Sequence, residues 1–212
     1  MLRDEGYGLT LASRRAEKVQ AAAAELGASA VAADVSDADD CARLVAEHRE
    51  RYGRLDVLVN SAGVGIAGRV EDLPAKHLDL QLGVNLRGLF LVTQAAIPLL
   101  REARGWIVNL ASIAGTLPTP GLATYGATKA AVIALTRSLN GELDADGVRA
   151  IAICPGFVDT PMAQWSGIEP AEMIQPEDCA EIVRMALRLS PHARIPQVVV
   201  ERVGSSNGDV PG

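Results

Sequence analysis

Short runs of apolar residues alternate with longer segments of helical periodicity along almost the whole chain. Each run is six to eight residues long and rich in Val, Leu, Ile or Ala, which is typical of strands buried on both faces of a sheet. The pattern predicts six strands, at residues 7–13, 28–35, 55–60, 105–110, 148–154 and 197–203.

The segments between these runs carry apolar residues at helical spacing. They predict helices at residues 15–26, 37–51, 74–103, 123–143 and 176–189. Gly27 is placed to end the first helix, because glycine readily adopts the left-handed conformation of a C-cap. Ser36 is placed to cap the second helix, and Asn85 lies inside the apolar third helix, where we expect a break.

Strands and helices that alternate in this way predict an α/β fold. We expect a doubly wound, Rossmann-like, mostly parallel sheet with helices on both faces. Residues 1–203 are expected to form a single domain, because no repeat and no linker divides them. Residues 204–212 are rich in Gly, Ser and Pro and are expected to be a flexible tail.

Several polar residues fall where predicted strands end. Asp34, Asn60 and Ser112 follow three of the strands, and Pro155-Gly156 follows a fourth. In a parallel sheet all carboxyl ends lie at one edge, and ligands bind there. These residues therefore mark one predicted binding edge.

The overall composition excludes several classes of protein. The 212 residues carry a net charge of −6, which argues against a nucleic-acid binder with a basic face. The three cysteines and three histidines are scattered, so neither a disulfide framework nor a metal site is indicated. No run of about 18 apolar residues and no leader is recognisable, so we expect a cytoplasmic protein with no membrane partner.

The strongest chemical signal is a tyrosine and a lysine at helical spacing. Tyr125 and Lys129 are four residues apart and share one helix face, and Ser112 lies thirteen residues upstream of Tyr125. An ammonium beside a phenol favours the phenolate and lowers the pKa of the phenol. Together with the serine hydroxyl, this set suits the reversible reduction of a carbonyl, which also needs a hydride source.

The chain from Leu2 to about Val203 resembles the short-chain dehydrogenase/reductase family. The matching pieces are Asn60-Ser61-Ala62-Gly63, Asn85, Ser112, Tyr125-x-x-x-Lys129 and Pro155-Gly156-x-x-x-Thr160. The resemblance implies that Tyr125 is the general acid/base, tuned by Lys129, which also binds the nicotinamide ribose. It implies that Ser112 orients the carbonyl and that Asn85 holds a proton-relaying water. Ser112 as a turn serine and Asn85 as the mender of a helix kink remain alternatives.

The same resemblance implies a nicotinamide cofactor, and the end of the first strand bears on which one. Ser13 is uncharged and Arg14 offers a guanidinium suited to a phosphate, so we predict NADP rather than NAD, with a plain surface arginine as the alternative. Asp34 and Val35 are expected to flank the adenine. The other expected cofactor-binding residues are Asn60, Ala62, Gly63, Tyr125, Lys129, Pro155, Gly156, Val158 and Thr160.

One departure from the family concerns the amino-terminal residues. The family opens with a strand and a turn of the form Thr-Gly-x-x-x-Gly-x-Gly, but residues 1–6 here resemble only the tail of the helix that follows it. The missing strand would leave two neighbouring strands without a partner, and we favour a clipped or misassigned start over a natural protein without the segment. Residues 63–68 fit Gly-x-Gly-x-x-Gly, but an acidic loop follows them instead of a helix, so we interpret them as a flexible loop beside the cofactor.

These observations lead to one main hypothesis and two alternatives. The main one is an NADP-dependent oxidoreductase that interconverts a small-molecule carbonyl and a secondary alcohol. The alternatives are a non-catalytic binding or assembly relative that has lost the pyrophosphate site, and a reductase-like epimerase or dehydratase. The short, mostly apolar segment 161–175 is expected to cover the site without selecting a substrate. Apolar helices over residues 85–103 and 123–143 suggest a homodimer or homotetramer.

Overall fold

The computed structural model describes residues 1–204 and contains a wholly parallel arrangement of strands. The strands are β1 (Thr10–Ser13), β2 (Ser29–Ala32), β3 (Val57–Asn60), β4 (Trp106–Leu110), β5 (Arg149–Pro155) and β6 (Gln197–Val200). Each lies within or next to a predicted apolar run, and most are shorter because pairing stops before the run ends. The predicted α/β fold with parallel strands is confirmed.

The helices follow the predicted segments closely. They are α1 (Ala16–Leu26), α2 (Ala38–Tyr52), α3 (Ala75–Gln81), α4 (Leu89–Ala103), α5 (Ala123–Glu142) and α6 (Pro176–Leu187). Gly27 ends α1 in the left-handed conformation with φ 63°, as predicted.

The predicted cap of α2 was wrong by one residue. Asp37 caps the helix, because its carboxylate accepts hydrogen bonds from the backbone N–H groups of Asp39 and Asp40, at 2.9 and 3.0 Å. Ser36 instead donates its hydroxyl to Asp34, at 2.7 Å. Both residue types cap helices well, and the neighbouring Asp34 decides between them.

The third predicted helix is wound differently around Asn85 but does not break. A π-helical stretch, Leu82–Gly88, joins α3 to α4 without an interruption. Such wider turns insert one extra residue into a helix and frequently occur at functional sites. The whole segment Ala75–Ala103 is long and apolar enough to span a membrane, but Ala96, Leu99 and Leu100 pack in the protein core.

Alternate residues of the central strands face two apolar layers. Ile107 of β4 packs with Leu99, Leu100 and Leu139 on the side of α4 and α5. The adjacent Trp106 and Val108 pack on the opposite side with residues of α6, Val183 among them. Helices therefore cover both faces, and the polar residues that follow the strands remain free to form a site at the carboxyl edge.

The strands form two separate sheets with a gap between them. β1 pairs only with β2, and the second sheet has the order β3-β4-β5-β6. A cavity of about 930 Å3 separates β1 from β3 and is lined by apolar residues of both, including Leu11 and Val59. Within residues 1–204, β1 and β3 each lack a partner on the side of the cavity, as expected for neighbours of an absent strand. The predicted tail lies outside the described residues, apart from Gly204.

Candidate active site

Two glycines allow the turn after β4 to lie directly against α5. A Cβ at Gly115 would come within 2.7 Å of the carbonyl carbon of Lys129, and a Cβ at Gly126 within 2.6 Å of the Ala114 oxygen. Only glycine permits such close backbone approach. This contact places Ser112, at the end of β4, beside the first two turns of α5, which carry Tyr125 and Lys129.

Ser112 is compatible with both roles that the sequence allows, a turn serine and a residue that orients the substrate carbonyl. It caps a short turn, because its Oγ accepts a hydrogen bond from Ala114 N at 3.2 Å. Hydrogen bonding by the Ser112 side chain also lowers the pKa of the Tyr125 phenol. Since Ser112 Oγ accepts from the backbone, its own proton is available for the pocket.

The predicted direction of the Tyr125 pKa shift was wrong. Burial raises the pKa of Tyr125, and the hydrogen bond with Ser112 opposes that effect only in part. The Lys129 ammonium is 5.7 Å from the centre of the tyrosine ring. The phenol therefore holds its proton at neutral pH, as a proton donor must.

Lys129 is a buried cation that donates a hydrogen bond to the backbone. Its side chain is 5% exposed, and Nζ donates to the Leu110 carbonyl at 2.7 Å. Burial lowers the pKa of Lys129 to about 8. Within residues 1–204, no carboxylate forms a salt bridge with it. The ammonium is therefore held in the pocket by the geometry of the fold.

The buried Lys129 predicts that stability rises with pH. The unfolded chain keeps this lysine protonated up to about pH 10.5, whereas the folded chain releases the proton above about pH 8. Between these values the unfolded state binds more protons, so the free energy of unfolding increases with pH. The full difference corresponds to roughly 3 kcal/mol, at 1.36 kcal/mol per pKa unit.

Urea unfolding between pH 7 and about pH 10 measures this effect. The Lys129→Met variant should lack the increase that the wild type shows, whereas Lys76→Met, at an exposed lysine on α3, should retain it. Parallel curves for wild type and Lys129→Met would contradict the prediction.

Asn85 joins the loop after β3 to α5. Its Oδ1 accepts a hydrogen bond from Val64 N at 2.8 Å, and its Nδ2 donates to Val64 O at 2.9 Å and to Thr128 Oγ1 at 3.0 Å. The side chain is 1% exposed. Its amide thus bonds to the loop and to α5 and not to the backbone of its own helix, so the kink-mending alternative stays a prediction, and one Oδ1 lone pair remains.

The glycine-containing loop of residues 61–68 forms one wall of the site. A Cβ at Gly63 would lie 3.6 Å from Lys129 Nζ, and a Cβ at Gly65 would lie 3.7 Å from the Tyr125 ring and from the Met162 sulfur. No helix begins until Ala75, which agrees with the prediction that this Gly-x-Gly-x-x-Gly segment is a loop and not a phosphate-binding turn. Ala62 belongs to the same loop.

Asn60, at the end of β3, has an internal role in the structure. Its Nδ2 donates hydrogen bonds to Thr93 Oγ1 at 3.0 Å and to Asn109 Oδ1 at 2.8 Å. Asn109 in turn donates to Thr136 Oγ1 at 2.9 Å. This chain of bonds ties β3 and β4 to two helices, so the Asn60 amide holds the start of the loop in place.

The predicted adenosine side lies at the carboxyl ends of β1 and β2. Arg14 Nη1 is 3.9 Å from Asp34 Oδ2, and the Arg14 side chain is 57% exposed. Asp34 accepts hydrogen bonds from the backbone and hydroxyl of Ser36, which lower the pKa of its carboxyl group. Ser13 ends β1, and Val35 follows β2 and contacts the backbone at Gly88. The structure therefore brings these four predicted residues to one edge.

Four more of the expected cofactor-binding residues lie at the end of β5 and just after it. Pro155 is the last residue of this strand, and Gly156 N donates a hydrogen bond to Val200 O at 2.9 Å. Val158 forms a bridge with Ile174, and Thr160 Oγ1 donates to Val158 O at 3.3 Å. The segment between Thr160 and Ile174 is thereby fixed at both ends.

The covering segment presents large apolar side chains to solvent. Met162 is 45% and Trp165 50% exposed, and the Trp165 ring meets Phe157 edge-on at 5.9 Å. The prediction that this segment covers the site stays a prediction.

Several residues that shape the site were missed by sequence reasoning. They are Gln81, Asn109, Gly115, Thr124 and Thr128. The spacing of Gln81 four residues before Asn85 could have indicated it, because both then lie on one helix face. The glycine offered no signal, since its tight contact forms only in the folded chain.

Comparison with known proteins gives a consistent result. A family model described as short chain dehydrogenase matches residues 1–169. An uncharacterized oxidoreductase of Staphylococcus epidermidis is 36% identical over 208 residues, which is 95% of this chain and 89% of that protein.

Two solved structures show the same fold. An alcohol dehydrogenase from the archaeon Thermococcus sibiricus, complexed with 5-hydroxy-NADP, has a TM-score of 0.88 and 29% identity, over 97% of this chain and 90% of its own. A 3-ketoacyl-(acyl-carrier-protein) reductase from Brucella melitensis, complexed with NADH, has a TM-score of 0.86 and 28% identity, over 93% and 87%. Sequence and structure comparisons thus lead to one family.

Proposed function

The chain belongs to the short-chain dehydrogenase family, and we propose that it is an oxidoreductase that transfers a hydride between NADP(H) and a small carbonyl compound or secondary alcohol. The observation that carries this proposal is the convergence of Tyr125, Ser112 and Lys129 at the carboxyl edge of the sheet. The fold brings a protonated phenol, a hydroxyl and a buried cation together from two separate elements.

Each of the three side chains has a separate role at the carbonyl oxygen of the substrate. Tyr125 donates its proton to the oxygen during reduction and takes it back during oxidation. Ser112 donates a hydrogen bond to the same oxygen and so orients the substrate. Lys129 stabilises the phenolate left behind, because its positive charge is held nearby in a poorly solvated pocket. The reduced nicotinamide supplies the hydride when it is bound.

The described residues suit the two ends of the cofactor better than its pyrophosphate. Arg14, Ser13 and Asp34 suit the adenosine end, whereas Lys129 and Thr160 suit the nicotinamide end. A glycine-rich turn that would hold the pyrophosphate with backbone N–H groups is not among residues 1–204. Among residues 1–204, β1 and β3 border an open cavity, and a non-catalytic relative that binds a ligand or a partner there without turnover is the second candidate function.

A turnover assay separates the two candidates. We expect the protein to oxidise NADPH when it is given small apolar ketones or aldehydes. The measurement is the loss of NADPH fluorescence with time, together with identification of the alcohol product. Binding of a carbonyl compound without turnover on either nucleotide would support the non-catalytic candidate instead.

Arg14 is expected to select NADP over NAD. Its guanidinium is exposed at the end of β1, where it can form charge-assisted hydrogen bonds to a 2′-phosphate. Such bonds contribute about 1.5–3 kcal/mol, so Arg14→Leu should weaken NADPH binding by roughly 10- to 100-fold and leave NADH binding nearly unchanged.

Fluorescence titrations with both nucleotides check this prediction. Arg15→Leu is the matched control, because Arg15 is the exposed neighbour of Arg14 and is not expected to face the phosphate. Equal losses of affinity for NADPH and NADH in the Arg14 variant would remove the basis for NADP preference.

We further propose that the protein acts as a homo-oligomer. Leu82 and Phe90 are exposed eight residues apart on the same helical segment and border a second cavity of about 530 Å3 with Leu135. Exposed apolar patches of this kind mark interaction sites, which supports a homodimer or homotetramer. We place the catalytic unit in a single domain over residues 1–203 of a cytoplasmic protein.

A further inference from the structure

Gln81 is a fully buried amide whose hydrogen-bonding groups serve two different elements. It ends α3 and is 0% exposed. Its Nε2 donates a hydrogen bond to Thr124 Oγ1 at 2.8 Å, and its Oε1 accepts one from Ile66 N at 3.2 Å. The side chain therefore links the first turn of α5 to the loop of residues 61–68.

The link through Gln81 repeats the link through Asn85 one helical turn away. Asn85 contacts Val64 and Thr128, whereas Gln81 contacts Ile66 and Thr124. Each amide thus joins a backbone group of the loop to a threonine of α5. Tyr125 lies in the turn between the two threonines, so the paired amides hold the helix on both sides of the catalytic phenol.

The first turn of α5 depends on this link because it has no conventional cap. Leu122 is the N-cap residue, and no side chain at that position accepts from the helix. The first N–H groups of a helix lack internal partners, and an uncapped end frays. Tyr125 is only the third residue of α5, so fraying would displace its hydroxyl directly.

We infer that Gln81 is a positioning residue for Tyr125. By joining Thr124 to Ile66, it fixes the distance between the uncapped start of α5 and the loop that faces the tyrosine ring. This inference rests on the proposed reductase function. Small displacements of a catalytic group have large kinetic consequences, since a shift of about 1 Å can cost on the order of 100-fold in rate.

The sharpest test removes the hydrogen bonds and keeps the volume. Gln81→Met should lower kcat by roughly tenfold while the Kd for NADPH changes by less than about twofold, because the variant disturbs the phenol and not the nucleotide site. Thr124→Val breaks the α5 side of the link alone and should have a similar effect. The double variant should be little worse than either single one, because both remove the same interaction.

Amide hydrogen exchange gives a readout that does not depend on turnover. The Ile66 N–H donates to Gln81, and the Gly126 N–H closes the first turn of α5 by donating to Leu122 O at 2.7 Å. Both should exchange faster in Gln81→Met, whereas the strands of the core should not change. The exposed Gln94→Met is the matched control and should alter neither exchange nor kcat.

The possible outcomes separate this inference from the proposed function. A wild-type kcat in both Gln81→Met and Thr124→Val would overturn the positioning role. If Gln81→Met does not fold, the kcat of Thr124→Val decides by the same criterion. A wild type without any turnover would overturn the reductase proposal, and unchanged exchange at Gly126 in the folded Gln81 variant would then overturn the link as well.

Discussion

Replacing Tyr125 with phenylalanine should abolish nearly all carbonyl reduction and leave NADPH binding close to that of the wild type. The variant loses only the hydroxyl that transfers the proton, and general acid–base catalysis contributes about 100- to 10,000-fold to a rate. The ring itself remains and continues to pack against the loop near Gly65. Steady-state kinetics should therefore show a loss of kcat of at least about 100-fold, and a fluorescence titration an unchanged Kd.

A second tyrosine variant controls for nonspecific effects. Tyr7 is half-buried and lies outside the candidate active site, so Tyr7→Phe should keep full turnover. Turnover of Tyr125→Phe at the wild-type level would end the proposed mechanism, because no other phenol lies beside Ser112 in residues 1–204. A variant that loses NADPH binding together with turnover would instead indicate that Tyr125 holds the cofactor.

Local spacing explains why the grouping of Tyr125, Lys129 and Ser112 could be predicted from the sequence. Tyr125 and Lys129 are one helical turn apart, and Ser112 follows an apolar strand, so their placement needs only the periodicities of a helix and a parallel sheet. The fold class was predictable for the same reason. The carboxyl ends of β3, β4 and β5 meet at one edge whichever residues fill the core.

The electrostatics of the site could not be predicted in the same way. The sequence shows an ammonium near a phenol, and that pair alone would lower the pKa of Tyr125. In the folded chain burial has the larger effect and raises it, whereas the lysine, also buried, has its own pKa lowered to about 8. Burial depends on the whole fold, so the direction of the shift needs the structure.

Long-range polar contacts could not be predicted from the sequence. The spacing of Gln81 before Asn85 indicates a shared helix face, but nothing in the sequence indicates that its partner is Thr124, 43 positions away. Ser36 and Asp37 are equally good caps by type, and only the position of Asp34 favours the second. In the first case a contact that forms only in the folded chain determines the role of the side chain, and in the second a local hydrogen bond between Ser36 and Asp34 does.

Filling the gap between β1 and β3 with a parallel strand should stabilise the protein strongly. Both strands present unpaired backbone groups and apolar side chains to the cavity, and Met1 and Leu2 also line it. An amino-terminal extension of about 20 residues can therefore enter the gap as a Val/Ile-rich strand, a glycine-rich turn and a helix. We expect a gain of roughly 5 kcal/mol in the free energy of unfolding, since each buried side chain contributes about 1.5–3 kcal/mol before ordering costs.

Thermal unfolding measures this gain against a matched control. A change of about 5 kcal/mol corresponds to an increase in Tm of roughly 10–20 °C for a chain of this size. The same extension with two prolines in its strand should give little of that increase, because proline has no N–H to donate to a neighbouring strand. Equal melting temperatures for the two extensions would show that the gap does not accept a strand.

The extension should also strengthen NADPH binding, for a reason separate from stability. A strand between β1 and β3 occupies the point where the chain order of the sheet reverses, and its glycine-rich turn then lies at the carboxyl edge between Arg14 and Tyr125. Backbone N–H groups of that turn can hold the pyrophosphate, so the Kd for NADPH should fall by roughly tenfold or more. A second extension with the turn glycines replaced by valine isolates this effect: it should keep the increase in Tm and lose the gain in affinity. If both extensions bind NADPH equally well, the pyrophosphate does not lie at this turn, even if the strand fills the gap.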